Sequence, residues 1–122
     1  MYAERHAVAI TTDASGDGTA YTPVVTGRVI SIRYVKTDYA DGVTVAITAE
    51  ATGEGIWSEA AVNASATRAP RAATHSILGA AALYAAGGAA VLDHVVVAKD
   101  RIKIVVSAGG NTKTGTFHVV VA

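Results

Sequence analysis

The chain has no cysteine, so disulfides and thiolate metal sites are excluded and nothing in it depends on the redox compartment. Aromatic residues are scarce, with five Tyr, one Phe and one Trp. The apolar half of the sequence is therefore largely alanine and valine, and the core is expected to be built from small and β-branched side chains. There is no excess of charge of either sign: ten Lys and Arg balance ten Asp and Glu. A broad nucleic-acid footprint or a polybasic membrane surface needs clustered cationic excess, so neither is expected. A chain with no net charge tends to associate with itself or with a partner, which fits an assembly component. No apolar run is long enough for a membrane span, since the longest, Ile77–Val91, is short and broken by glycines. The first residues, Met1–His6 (MYAERH), lack a basic segment followed by an apolar core. We therefore expect no secretory signal and a soluble chain made in the cytoplasm.

What the sequence does contain is period-two alternation. In Arg101–Val106, Ile102, Ile104 and Val106 share one face and Arg101 and Lys103 the other. In Thr116–Val121, Phe117, Val119 and Val121 alternate with Thr116, His118 and Val120. These runs predict two strands joined by an exposed, Gly/Asn-rich hairpin connector, Ser107–Gly115. The same pattern predicts a strand at His6–Thr11, closed by the turn Asp13–Gly18, and a short Pro-interrupted edge segment at Thr19–Val25. Gly27–Thr37 is the strongest strand. With Val43–Thr48 and the Asp41-Gly42 turn between them, it predicts a hairpin over Gly27–Glu50.

Ile56 and Trp57 are adjacent, so a strand through Gly53–Glu59 would place them on opposite faces, one of them towards a partner. Asn63–His75, rich in Ala, Ser, Thr and Arg around Pro70, suits an extended loop or edge strand. Ser76–Ala86 (SILGAAALYAA) fits either a short helix stopped by Gly87-Gly88 or a buried extended segment. Val91–Val97 predicts another strand. About seven or eight short strands, one possible short helix near 76–86 and no internal linker predict an all-β, single-domain sandwich or jelly roll over residues 1–122.

Candidate chemistry is thin. Asp13, Ser15 and Asp17 resemble the opening of a calcium loop, but Val24 stands where the bidentate Glu belongs, so the reading is a solvated turn. His6, His75, His94 and His118 show no zinc spacing. Glu50, Glu54 and Glu59 cluster in sequence without evidence of a cleft between them. No Gly-x-Ser-x-Gly elbow is present, and Lys113-Thr114 lacks the glycine and helix of a phosphate loop. We expect no enzyme, no cofactor and no metal. Arg and aromatic residues are enriched at protein interfaces, which makes Trp57, Arg68, Arg71 and Tyr84 the candidate partner-binding residues.

Several segments together resemble small virion structural proteins of tailed bacteriophages. They are Arg33–Gly42 (RYVKTDYADG), Asn63–Thr67 (NASAT), Pro70–His75 (PRAATH), Ala82–Gly88 (ALYAAGG) and Asp100–Val106 (DRIKIVV), followed by Gly109–Phe117 (GGNTKTGTF). The likeness runs from about Gly27 onward. It implies a β-rich head decoration (cement) protein on the capsid surface, bound to the major capsid protein and self-associated as a dimer or trimer. A head–tail connector or tail component is the alternative it leaves open. A carbohydrate- or receptor-binding module on the particle is a further one, which the low aromatic content disfavours.

Overall fold

The computed structural model describes residues 2–122. It is all-β: β1 (Glu4–Thr11), β2 (Gly18–Tyr21), β3 (Val25–Lys36), β4 (Thr44–Ala49), β5 (Gly55–Glu59), β6 (Ala66–Arg68), β7 (Arg71–Ala73), β8 (Leu92–Asp100), β9 (Ile102–Ser107) and β10 (Thr114–Val121). Two antiparallel sheets face each other. The larger runs β1-β10-β3-β8-β7, with β6 beside the second half of β3; the smaller runs β2-β9-β4-β5.

The alternating residues meet between the sheets. From the larger sheet come Val8, Ile10, Val29, Ile32, Tyr34, Val95, Val97, Phe117 and Val119; from the smaller come Val45, Ile47, Ile102, Ile104 and Val106. Large rings are few and grouped: Tyr34 stacks on Phe117 at 5.1 Å and on Tyr39 at 6.2 Å between centroids. Burial pushes the Tyr34 and Tyr39 hydroxyls to higher pKa. For Tyr39, with nearby Tyr34 and Asp38 adding to the effect, the value is pushed up to about 12.

Two expected hairpins are corrected by the pairing. β3 and β4 do not form a hairpin: β3 pairs with β10, β8 and β6, while β4 lies in the other sheet between β9 and β5. The connection crosses from sheet to sheet with Tyr39 plugged into the end of the core, its hydroxyl donating to the Ile10 carbonyl at 2.6 Å. Likewise β9 and β10 belong to different sheets, so Ser107–Gly115 is a crossover rather than a hairpin connector. It is tied down by backbone bonds from Ala40 to Gly109 and from Gly109 to Gly16, and by the Thr12 hydroxyl, which donates to the Gly110 carbonyl. A strand buried on one face has the same period whether its neighbour lies beside it or across the core.

Residues 76–86 are not helical. They form part of an excursion between β7 and β8, made of two successive tight turns. Glycine at 79 (φ 82°) and at 87 (φ 71°) turns the backbone there.

β5 carries a bulge. Ile47 opposes Trp57 while Thr48 opposes Gly55, leaving Ile56 as the extra residue. Both Ile56 and Trp57 are thereby buried, and strict alternation fails where the sequence reading applied it.

Candidate interaction site

The four sequence-derived candidates separate into three places. Trp57 and Arg68 come together. Trp57 lies on β5 at the edge of the smaller sheet, and Arg68 on β6 of the larger sheet, opposite the inward-facing Ile32. The Arg68 guanidinium sits 5.7 Å from the indole centroid and makes a two-pronged bond to Glu59, Nε to Oε1 at 2.9 Å and Nη2 to Oε2 at 3.0 Å. The indole N–H donates to the same carboxylate at 3.2 Å. This holds the Glu59 carboxyl below the usual range, the Arg68 bond being the main cause and burial opposing it. The arrangement is a clasp that closes the open side of the sandwich between β5 and β6. Trp57, 9% exposed, presents almost nothing to a partner.

Arg71 lies on β7, opposite His94 on β8, and its Nη1 donates to the carbonyls of Pro70 at 2.7 Å and Ile30 at 3.3 Å. Tyr84 stands apart from the other three. It lies in the excursion between β7 and β8, 76% exposed.

That excursion, Thr74–Val91, is the most distinctive surface feature of the molecule. Its root is tied by backbone bonds from Thr74 to Val91, Ala82 to Thr74 and Val91 to Ala82. Beyond the root, Ser76–Ala80 and Tyr84–Ala89 each close on themselves, with bridges between His75 and Ala81 and between Leu83 and Ala90. Ile77 (102% exposed) and Leu78 (91%) stand at the first turn, Tyr84 at the second, and Leu83 and Leu92 are also exposed. An arm that turns back on itself twice has no neighbouring sheet on which to bury these side chains. The arm was present in the sequence as a run with no Asp, Glu, Lys or Arg from Thr74 to Leu92, and no acid anywhere between Glu59 and Asp93. Ile77, Leu78, Leu83 and Leu92 were missed as site residues because apolar content was taken as a sign of burial.

The remaining candidate chemistry is dispersed. Asp13 accepts bonds from the backbone of Ser15 (2.8 Å) and Asp17 (3.1 Å), which makes its loop a self-closed turn. His118 pairs with Ala7, next to His6, on adjacent strands, so the two imidazoles belong to opposite faces of one sheet. Glu50 is tied to Arg101, whose guanidinium lies 4.1 Å from the centre of the Tyr21 ring. The bond from Arg101 holds the Glu50 carboxyl below its usual range. Among the described residues no group of three or more His, Asp or Glu is arranged to hold a metal ion.

No protein-family model matches the chain, and no curated protein matches it. Among solved structures, the dimeric latent PorU of Porphyromonas gingivalis is similar at 9% identity and a TM-score of 0.39. The likeness covers 99% of this chain and 13% of that one. A similarity at that level carries no argument about fold or function.

Proposed function

We propose that this chain is a structural component of a bacteriophage virion, a head decoration protein that adds contacts across the junctions of major capsid subunits. The observation that supports the reading is the arm. A small sandwich with a well-filled core nonetheless exposes Ile77, Leu78, Leu83 and Tyr84 on one element that has no Asp, Glu, Lys or Arg. An exposed apolar concentration of this kind marks a site of association. The sequence likeness to small virion proteins supplies the setting, with the capsid surface as the location and the major capsid protein as the partner.

The physical role would be additive. A decoration protein repeated over a shell contributes a modest apolar contact at each junction, and the many copies together resist outward pressure. The outward face of the larger sheet, where Arg5, Arg33 and His118 lie on neighbouring strands, is the broad surface available to a capsid subunit.

Quantitative mass spectrometry of purified particles of the encoding phage tests the reading. A copy number near that of the major capsid protein, or a simple fraction of it such as about one third, is expected. A few copies to about a dozen would move the chain to the connector or tail, and absence from the particle would overturn the virion reading.

A further inference from the structure

The occupant of the arm follows from what the arm lacks. In a homo-oligomer, residues near the symmetry axis meet their own copies, so any charge placed there faces an identical charge. Like charges brought together in an interface repel and weaken it. The arm carries no Asp, Glu, Lys or Arg over Thr74–Leu92, and the ring of its His75 is turned onto the Ser76 carbonyl at 2.9 Å. The two guanidiniums that precede the arm in the chain are already committed, Arg68 to Glu59 and Arg71 to two backbone carbonyls, so neither is held out to recruit an acidic partner.

Steric factors agree. From Gly79 to Ala90 every residue except Leu83 and Tyr84 is alanine or glycine, which lets two backbones approach closely. Ile77, Leu78 and Tyr84 are each 76% or more exposed, and exposed apolar groups gathered on one element mark association sites on soluble proteins.

We infer that the arm is a self-association element: the Ile77–Leu78 turn and Tyr84 of one copy pack against the same arm of a second copy, about the symmetry axis of a homo-oligomer. The contact is apolar and salt-insensitive. It gives a self-contact to the same arm that supports the virion reading, but it is tested separately, because the purified chain needs no particle.

The test is sedimentation of the purified full chain over about 1–100 µM, a range that brackets micromolar dissociation constants. Wild type is compared with Ile77→Asp/Leu78→Asp and with Val24→Asp. Val24 is an exposed apolar residue (63%) outside the arm and serves as the control. The wild type is expected to associate, equally well at low and at about 1 M salt, where charge-driven contacts are screened. The double variant should weaken association about 100-fold or more, and Val24→Asp should leave it unchanged. Because the arm side chains are almost fully exposed, circular dichroism and the unfolding midpoint of the dilute variant should match wild type; Tyr84→Ser is a second, milder variant with the same expected direction. A wild type that stays monomeric throughout, association unaffected by the arm variants, or equal loss on Val24→Asp would each overturn the inference. So would a monomeric wild type that binds anionic lipid vesicles through the arm.

Discussion

Adding one methyl group at position 115 should be among the most damaging small changes available to this chain. Gly115 lies on β10 between Ile10 and Lys36, and its backbone is not in the left-handed region, so any penalty for alanine is steric. A Cβ there would lie 2.9 Å from Tyr39 Cδ2 and 3.0 Å from Cζ, with Cε2 closer still. The ring has little room to yield. Its hydroxyl is bonded to the Ile10 carbonyl, its face stacks on Tyr34, and it is 2% exposed. Overpacking of this kind costs roughly 1–3 kcal/mol. If the ring moves, the buried hydroxyl bond is lost as well, worth about 1 kcal/mol. Gly115→Ala is therefore expected to destabilise by about 3 kcal/mol, or about 10 °C in Tm for a chain of this length. Urea unfolding should show a lower midpoint with an unchanged slope. In a Tyr39→Leu background the added methyl should cost about 1 kcal/mol or less, giving a coupling of about 2 kcal/mol between the two sites. A cost below about 0.5 kcal/mol, or the same cost in both backgrounds, would refute the reasoning, since additivity means the sites do not meet.

The two buried tyrosines should differ. Tyr39→Phe removes the bond to the Ile10 carbonyl and should cost about 1–2 kcal/mol, whereas the Tyr34 hydroxyl has no hydrogen-bond partner among the described residues and Tyr34→Phe should stay within about 0.5 kcal/mol of wild type by urea unfolding. Tyr39 also makes stability depend on alkaline pH. Its folded pKa is raised from 10.0 to about 12, so its contribution is complete below the unfolded value and is lost as pH climbs through that interval; Tyr39→Phe should flatten the decline. Glu50 and Glu59 act in the opposite direction. Their folded values are lowered from 4.5, so their stabilisation is present above that value and lost as pH falls through the lowered ones; an acid titration of unfolding that is unchanged in Arg68→Gln and Arg101→Gln would count against the pairing. Trp57→Ala empties one side of the clasp and should cost about 3–5 kcal/mol by urea unfolding followed by circular dichroism. In the otherwise native chain, Trp57 fluorescence should report the loosening of the clasp on Arg68→Ala, as it is the chain's single tryptophan.

The candidate site was only partly legible beforehand. Arg and aromatic residues were chosen because such residues anchor interfaces, and two of the four, Trp57 and Arg68, turn out to hold the sandwich closed. The association of the pair is invisible in sequence: it depends on β6 and β5 lying at the same open side of two different sheets. The arm was legible as an uncharged apolar run, and the error lay in equating apolar with buried. Exposure is a property of what surrounds a segment. A run that folds back on itself between β7, at the edge of its sheet, and β8 has nothing to cover it.

The sequence by itself determined the all-β class, the location of most strands and, outside the bulged β5, which side chains of a strand share a face. Alternation is a local consequence of the pleat, and Gly and Asp turns punctuate it whatever the global arrangement. It also determined which residues lack charge between Thr74 and Leu92. The tertiary structure alone decided which strands share a sheet. β3 with β4, and β9 with β10, are consecutive and equally well patterned, yet each pair is split across the core. The splitting rests on long-range contacts: Tyr39 seated over Gly115, Gly109 against Gly16, and β10 inserted between β1 and β3. Pattern fixes the face a strand buries, while the choice of neighbour depends on closing two sheets around one core, and residues far apart in the chain make that choice together.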